Sequence, residues 1–294
     1  MYNYSMQNEL NSSELIRALP YMKALRGKLV VVKYGGSAMI NSGLKTAVIE
    51  DIVFMAALGV KVTLVHGGGP EIDTMLKAVG KETTFVNGLR YTDEETMNIV
   101  QMVLCGKVSK DICALIQRAG AQAIGLCGLD GGLLQAVRVK TADLGLVGDI
   151  KQVNRKILEN VIENGEIPVV SPVAMGMGED EGKSLNINAD IAAAEIAVAL
   201  GAEKLVLITD VRGILRNVLE PESLISKASR RQLDEFKAAG ILNGGMIPKI
   251  ECCACALDGG VKTAHIIDGR VPHSLLRELF TEKGAGTVIT MNDD

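Results

Sequence analysis

Two glycine-rich segments, KYGGS at residues 33–37 and HGGGP at residues 66–70, each follow a short run rich in apolar β-branched residues. Such runs predict buried strands, and the glycines predict a tight turn at the end of each strand. In a parallel sheet, ligands bind at the carboxyl ends of the strands, where glycine lets backbone N–H groups approach an anion. The following helix adds a partial positive charge that favours phosphate. Together the segments predict a phosphate site, although either alone could be only a tight turn.

Lys33 stands at the end of the first of these strands. Phosphoryl transfer relies on positioning and charge neutralisation, so it needs anion-binding glycines and lysines rather than a protein nucleophile. Lys33 suits this chemistry. By position alone, it is equally well explained as a strand-end lysine whose ammonium group reaches solvent.

The sequence lacks the motifs of other glycine-loop proteins. It has no G-x-x-x-x-G-K-[ST], which excludes a P-loop nucleoside triphosphatase, and no G-x-G-x-x-G after a strand, which removes the main support for a dinucleotide-binding oxidoreductase. HGGG resembles the oxyanion loop of some lipases, but no G-x-S-x-G supplies a nucleophile. Phosphoryl transfer remains the chemistry that the glycine segments favour.

Three polar side chains, Asn186, Asn188 and Asp190, lie at the predicted start of the helix in LNINADIAAAEIAVALG. Asn188 is predicted to cap this helix, and an acid such as Asp190 is favourable in a first turn. A functional interpretation is also open, in which Asn186 holds a substrate and Asp190 orients lysines beside the phosphates.

Arg90 lies in GLRYTDEE, just before another predicted helix. Thr92 and Glu95 have the spacing of a capping box, which leaves Arg90 outside the helix and suited to bidentate binding of a carboxylate. A solvated arginine is the alternative interpretation.

Two further charged residues belong to strand and helix ends in the last third of the chain. Asp210 follows the predicted strand of residues 204–209. Lys249 lies in the first turns of a predicted helix after Gly244 and Gly245, where a lysine is mildly unfavourable unless an anion is near.

The elements that must position these residues alternate between strand and helix patterns through most of the chain. Predicted strands are residues 29–33, 60–69, 167–172, 204–210 and 263–269. This alternation predicts an α/β fold with a largely parallel sheet covered on both faces. Residues 123–139 and 144–154 lack a helix between their short strands and predict an antiparallel ribbon at one edge. A composition change near residue 201 divides the chain into two predicted lobes.

Composition narrows the classes of partner. The chain has 294 residues, 48% of them hydrophobic, and a net charge of −4 without a basic run, which argues against nucleic-acid binding. No signal peptide or membrane span is evident, so we expect a cytoplasmic protein without a membrane partner. The six cysteines are expected to be reduced and to pack helices, since Cys252 and Cys255 have no second ligand pair at zinc spacing.

A helix candidate precedes the first strand. Residues 12–26 have an apolar stripe, and Pro20 inside it predicts a kink. The stripe is explained equally well by a helix that covers the core and by a contact between subunits.

Taken in order, KYGGS, HGGGP, NGLRYT, NINAD, ITDVRGIL and GGMIPK resemble the motif series of the amino acid kinase family, and within it the arginine-inhibited acetylglutamate kinases. The resemblance runs from Lys28 to Ile289. It implies a three-layer αβα sandwich, with N-acetyl-L-glutamate bound by residues 28–200 and ATP bound by residues 201–294. The γ-carboxylate would attack the γ-phosphate, giving N-acetyl-L-glutamyl 5-phosphate and ADP in the second step of arginine biosynthesis. Mg²⁺ would be carried on the ATP phosphates rather than by a protein cage.

The resemblance also implies roles for single residues. Lys33 and Lys249 would neutralise charge on the transferring phosphoryl group, and Asp190 would hold both lysines in place. The N–H groups of Gly36 and Gly69 would bind phosphate oxygens. Substrate-binding residues would be Gly68, Gly69, Arg90 and Asn186. Residues of the phosphate and nucleotide site would be Gly35, Gly36, Asp210, Val211, Gly213, Ile214, Leu215, Ile241, Leu242 and Asn243.

Regulation is implied by two more segments that are similar to those of the arginine-inhibited members. The helix within residues 1–27 would join homodimers into a homohexamer, and His273, Glu282 and Gly284 would bind L-arginine as an inhibitor. Two alternatives stay open: a kinase for a related acid such as N-acetyl-2-aminoadipate, because one methylene is worth only about 1–3 kcal/mol of pocket contact, and a catalytically silent arginine sensor.

Overall fold

The computed structural model describes residues 12–86, 88–242 and 244–293. The helices are α1 (Ser12–Leu25), α2 (Ser42–Ala57), α3 (Gly69–Ala78), α4 (Glu94–Gln101), α5 (Ser109–Arg118), α6 (Arg155–Glu163), α7 (Ala189–Ala199), α8 (Arg230–Ala238), α9 (Met246–Asp258) and α10 (Ser274–Phe280). The strands are β1 (Leu29–Tyr34), β2 (Lys61–His66), β3 (Phe85–Val86), β4 (Leu89–Arg90), β5 (Ala123–Cys127), β6 (Leu134–Arg138), β7 (Gly148–Val153), β8 (Ile167–Ser171), β9 (Val173–Gly176), β10 (Ser184–Asn186), β11 (Lys204–Thr209), β12 (Ile214–Leu215), β13 (Leu224–Ile225), β14 (Lys227–Ser229), β15 (Thr263–Asp268) and β16 (Thr287–Thr290). A π-helical segment, Met102–Val108, joins α4 to α5.

A central sheet of eight strands has the order β14-β16-β15-β11-β1-β2-β8-β5. Neighbouring strands in this sheet run parallel to each other, except β15 and β16, which are antiparallel. The predicted α/β fold with a mostly parallel sheet is therefore confirmed. Strand β1 lies between β2 and β11, so segments from both sides of residue 201 share one sheet.

The sheet is covered by two groups of helices. Helices α6, α7 and α9 contact its strands, and α7 also contacts α9. Helices α2, α5 and α10 contact strands of the same sheet, and α2 contacts both α5 and α10. Strands covered on both faces need apolar side chains in both directions. This is why Val30, Val31 and Val32 are consecutive and all fully buried.

The predicted antiparallel ribbon is only partly right. Strands β6 and β7 are antiparallel, within a separate sheet of order β10-β9-β6-β7. Strand β5, however, is parallel to β8 at the edge of the central sheet, so the ribbon prediction is wrong for residues 123–127. The long helical stretch before β5 carries the chain back across the sheet, and such a crossover is what a parallel strand requires.

Helix α1 has two kinds of apolar residue. Leu25 is buried, and Tyr21 and Met22 pack against the core. Leu15 and Ile16 are 45% and 68% exposed. The end of α1 therefore covers the core, while its beginning leaves an apolar surface. The predicted kink at Pro20 stays a prediction; the helix continues through this residue.

All six cysteines are free thiols. Cys252 and Cys253 are buried in α9 as predicted for packing residues, but Cys255 is exposed, with its Sγ 3.8 Å from Glu195 Oε1. The packing prediction is therefore wrong for Cys255, because the face of α9 that carries it turns to solvent. Within the described ranges, no helix is long and apolar enough to cross a membrane.

Candidate active site

A cluster of three charges lies beside the carboxyl end of β1. Lys33 Nζ is 3.0 Å from Asp190 Oδ1, and Lys249 Nζ donates a hydrogen bond of 2.8 Å to Asp190 Oδ2. The side chains of Lys33, Asp190 and Lys249 are only 10%, 8% and 21% exposed. Burial opposes the charge on Asp190, but the two ammonium groups outweigh burial and hold the pKa of this carboxyl below its usual value. The cluster carries one net positive charge and is mostly buried.

Local sequence places the carboxylate of this cluster. The side chain of Asn188 accepts hydrogen bonds from the N–H groups of Asp190 and Ile191, which confirms the predicted cap of α7. Helix α7 contacts both β1 and α9. The capped first turn therefore delivers Asp190 to the point where Lys33 and Lys249 arrive from different elements.

The glycines of KYGGS make room for charged groups. A Cβ on Gly35 would overlap Lys33 Nζ, and a Cβ on Gly36 would lie 2.5 Å from Asp210 Oδ1. Gly36 also has φ of 74°, a left-handed conformation that favours glycine. Gly35 and Gly36 thus allow Lys33 and Asp210 to come close to the backbone at the end of β1.

A first cavity of about 310 Å³ opens beside the charge cluster and is lined by both lysines. Its other lining residues include Gly36, Asp210, Val211, Gly213, Ile214, Leu215, Ile241 and Leu242, all predicted for the nucleotide site. Asn243, which belongs to the same prediction, lies outside the described residues. The structure therefore gathers these predicted nucleotide residues around one cavity.

A second cavity of about 180 Å³ is lined by Gly68, Gly69, Arg90 and Asn186, the predicted substrate residues. Asn188 and Ala189, which immediately precede Asp190, also line it. The charge cluster therefore adjoins both cavities, since Lys33 and Lys249 line the first and the start of α7 lines the second.

Arg90 is buried in the second cavity and is already engaged. Its Nη1 donates to Asp73 Oδ1 at 2.6 Å, its Nη2 donates to the carbonyl of Gly69 at 3.3 Å, and its guanidinium carbon lies 4.8 Å from the centre of the Phe85 ring. These contacts hold the guanidinium plane and leave other N–H groups of Arg90 for a ligand carboxylate. The alternative of a solvated arginine is wrong.

The capping box predicted for Thr92 and Glu95 is also wrong. Asp93 caps α4 by accepting from the N–H of Thr96, one residue later than predicted, because an aspartate there caps as well as a threonine. The hydroxyl of Thr92 instead accepts a hydrogen bond of 3.2 Å from Asn186 Nδ2. This contact orients the amide of Asn186 at the wall of the second cavity.

His66 is fully buried beneath HGGGP. Its Nδ1 lies 2.7 Å from the carbonyl of Gly67, so this nitrogen must carry the proton. Its Nε2 lies 2.9 Å from the hydroxyl oxygen of Ser171, which is also 3.2 Å from the carbonyl oxygen of Leu104. Burial lowers the pKa of His66 to about 4, so the ring is neutral at pH 7. The neutral ring fixes the glycine turn to β8.

The predicted arginine-binding residues lie at two ends of α10. His273 precedes the helix and its Nδ1 is 2.6 Å from Asp51 Oδ1, whereas Glu282 and Gly284 follow the helix. Burial raises the pKa of Asp51 to about 6, against the opposing effect of His273. Helix α1 contacts α10, so the two predicted regulatory segments are neighbours.

Sequence patterns missed several residues of the site. Val218 and Met246 line the first cavity, and Leu104 lines the second, where its Cδ2 would be 2.5 Å from a Cβ on Gly68. Met246 stands in the GGMIPK motif, which was a usable signal. Leu104 gave none, because its position depends on the π-helical segment.

Comparison with known proteins agrees with this geometry. The profile of the amino acid kinase family matches residues 28–268. The acetylglutamate kinase of Pelotomaculum thermopropionicum is 52% identical over 286 residues, covering 94% of this chain and 96% of that protein. The acetylglutamate kinase of a Nostoc species is 53% identical over 275 residues, covering 94% and 92%.

Solved structures also match the fold of this chain. N-acetylglutamate synthase from Neisseria gonorrhoeae, in complex with coenzyme A and N-acetyl-glutamate, matches with a TM-score of 0.83 and 27% identity over 97% of this chain and 65% of that one. Carbamate kinase from Giardia lamblia bound to AMP-PNP matches with a TM-score of 0.65 over 90% and 99%; at 15% identity it shows the shared fold alone. The central sheet, the motif series and the matched profile together establish that the chain belongs to the amino acid kinase family.

Proposed function

We propose that the protein transfers the γ-phosphoryl group of ATP to the γ-carboxylate of N-acetyl-L-glutamate, giving N-acetyl-L-glutamyl 5-phosphate and ADP. This reaction is the second step of arginine biosynthesis. The relatives named acetylglutamate kinase support it, at more than half identity over nearly the whole chain. The single observation that carries it is the Lys33–Asp190–Lys249 cluster between the two cavities.

The chemistry needs no protein base. A carboxylate with an ordinary pKa of about 4.3 is already ionised at neutral pH, so its oxygen attacks the γ-phosphorus directly while the bond to the β-phosphate oxygen breaks and ADP leaves with the electron pair. Negative charge on the transferring group is the main obstacle. Lys33 and Lys249 offset this charge, and Asp190 keeps both ammonium groups in place before the substrates arrive.

The first cavity is assigned to ATP and the second to N-acetyl-L-glutamate. The walls of the second cavity come from residues before 200, and those of the first come mostly from residues after 201, apart from Lys33 and Gly36. This supports a functional division into residues 28–200 and 201–294, although both contribute to one sheet. Backbone N–H groups of Gly36 and Gly69 are assigned to phosphate oxygens, and Arg90 and Asn186 to the α-carboxylate.

Magnesium is assigned to the nucleotide phosphates. Across the described part of the chain, no group of three or more His, Cys, Asp or Glu side chains is arranged to hold a metal ion. An ion carried on the phosphates of ATP needs few protein ligands. Bound there, Mg²⁺ would share with Lys33 and Lys249 the neutralisation of phosphate charge.

Regulation by L-arginine and assembly of homodimers into a homohexamer extend the proposal. The contact between α1 and α10 and the exposed apolar side chains at the start of α1 support it. His273, Glu282 and Gly284 are the assigned arginine contacts. The cytoplasm is the proposed location, as for a biosynthetic enzyme that draws on ATP.

An ADP-release assay with N-acetylglutamate, glutamate and N-acetyl-2-aminoadipate tests the proposal. We expect turnover with N-acetylglutamate and at least tenfold lower kcat/KM with the longer acid, about 1.4 kcal/mol, within the range expected for one methylene. Turnover of the longer acid alone would identify N-acetyl-2-aminoadipate as the substrate instead. Absence of turnover with every acid would overturn the proposal and favour an arginine sensor.

A further inference from the structure

We propose that Thr287 is a positioning residue for the nucleotide, because its hydroxyl fixes the hairpin of β12 and β13 that forms one wall of the first cavity. The inference rests on the proposed function in one respect, the assignment of the first cavity to ATP. Thr287 itself is not among the lining residues of that cavity.

One buried hydroxyl holds both strands of the hairpin. Thr287 Oγ1 accepts a hydrogen bond of 2.9 Å from the N–H of Ile214 and donates one of 2.6 Å to the carbonyl of Ile225. Ile214 and Ile225 are directly paired across the hairpin. Thr287 is fully buried. A hydroxyl can donate once and accept at the same time, so it satisfies both backbone groups where water does not reach.

The hairpin approaches Thr287 closely because residue 213 is glycine. A Cβ on Gly213 would lie 2.5 Å from Thr287 Oγ1 and 2.9 Å from Leu224 Cδ1. Gly213 also has φ of 141°, a conformation that other residues rarely adopt. Gly213, Ile214 and Leu215 all line the first cavity, so the position of Thr287 sets the position of this wall.

The two residues that precede Thr287 are held by a buried carboxylate. Glu278 Oε2 accepts from the N–H groups of Ala285 and Gly286, at 2.6 and 3.0 Å, and Glu278 Oε1 lies 2.7 Å from His265 Nδ1. Burial opposes ionisation, but His265 and the two N–H groups outweigh it and keep the pKa of Glu278 below its usual value. The residues just before Thr287 are therefore fixed to α10 and β15.

Loss of the hydroxyl would leave the Ile214 N–H and the Ile225 carbonyl without their buried partner. The hairpin can satisfy them only by moving toward water, which displaces the wall of the first cavity. The second cavity, whose lining residues include none from the hairpin, is unaffected. The expected result is a selective loss of nucleotide affinity.

Thr287→Val removes the hydroxyl at nearly constant side-chain volume, whereas Thr287→Ser keeps the hydroxyl and removes only the methyl group. We expect Thr287→Val to raise the KM for ATP and the calorimetric Kd for ADP about tenfold, a change of the size expected when buried polar groups lose their hydrogen-bond partner. The KM for N-acetylglutamate and kcat should change less than about twofold, and Thr287→Ser should behave like the wild type.

Thr63→Val is the matched control. Thr63 is also fully buried in the central sheet, but its hydroxyl has no hydrogen-bond partner within the described residues. Thr63→Val should leave the KM for ATP and the KM for N-acetylglutamate unchanged. Equal increases in both KM values, or an unchanged Kd for ADP in Thr287→Val, would overturn the inference.

Two readouts keep the outcomes distinct. If the wild type turns over no acid, the proposed function fails, while ADP calorimetry still tests the role of Thr287. If Thr287→Val does not fold, hydrogen exchange of the Ile214 amide in the wild type decides: protection supports the inference, and rapid exchange contradicts it.

Discussion

At the scale of single residues, Lys33 contacts a carboxylate rather than solvent. Position at a strand end left both interpretations open, and only the fold brings Lys33, Asp190 and Lys249 together from distant parts of the sequence. Their proposed roles in transfer rest on the motif series. Thr287 and Ser171 gave no signal in the sequence, because a buried threonine or serine looks the same whether or not its hydroxyl has a partner.

Replacement of Lys33 tests the charge cluster. We expect Lys33→Ala to lower kcat by about 10²- to 10³-fold, the usual effect of removing one preorganised electrostatic donor. Steady-state kinetics against both substrates measures the change. Lys61→Ala is the control, since Lys61 is an exposed lysine at the opposite end of β2. Near-normal kcat in Lys33→Ala would contradict the assigned role.

At the scale of elements, the buried strands were predictable and their pairing was not. Apolar runs identify β1, β2, β8, β11 and β15, because strands covered on both faces cannot alternate with polar residues. The direction of β5 was missed, because a short glycine-containing strand has the same pattern in a ribbon and in a parallel sheet. The π-helical segment was also missed, since one extra residue per turn leaves no distinct pattern in seven residues.

Removal of helix α1 tests the proposed assembly into a hexamer and the proposed inhibition by arginine. Deletion of residues 1–27 should leave catalysis but abolish arginine sensitivity and the hexamer, because α1 contacts α10 and its beginning exposes apolar side chains. Light scattering and arginine titration of activity measure both effects.

Leu25 is buried, so the deletion also removes part of the core. Ile16→Glu is a milder variant, because Ile16 is 68% exposed. It should give dimers without loss of folding, and Ala24→Glu, at an exposed position of the same helix, serves as the control for one added negative charge. A hexamer of undiminished stability and arginine sensitivity in Ile16→Glu would contradict the role of α1.

At the scale of the whole molecule, one continuous sheet positions both cavities. The carboxyl ends of β1 and β2 carry the two glycine segments, and that of β11 carries Asp210. Strand β1 lies at the point where the connections diverge to either side, which is where open α/β sheets bind ligands. The alternating pattern predicted this architecture. The strand order depends on long-range packing, which local patterns do not encode.

Acid stability depends on the buried His66. Its pKa of about 4 in the folded state lies below the ordinary value of about 6.5, so the unfolded chain takes up the proton first as pH falls. The free energy that neutral His66 contributes to folding is fully present above pH 6.5 and is lost as the pH falls from 6.5 to 4. We expect the wild type to lose about 2–3 kcal/mol more than His66→Gln between pH 7.5 and 4.5, at 1.36 kcal/mol per pKa unit.

Urea denaturation of both proteins at the two pH values measures this difference. Asp51, whose raised pKa stabilises the fold at lower pH and loses that effect as pH rises through about 6, is present in both proteins and cancels. Equal losses in the two proteins would show that His66 is not neutral in the fold.

The most direct test of the central claim is to trap the product with hydroxylamine. An acyl phosphate reacts with hydroxylamine to give a hydroxamate, whereas ADP released by simple hydrolysis of ATP leaves no such product. We predict equal amounts of ADP and N-acetylglutamyl hydroxamate with the wild type, and formation of both about 10²- to 10³-fold slower with Lys33→Ala. ADP without hydroxamate, or neither product from the wild type, would contradict transfer of a phosphoryl group to the carboxylate.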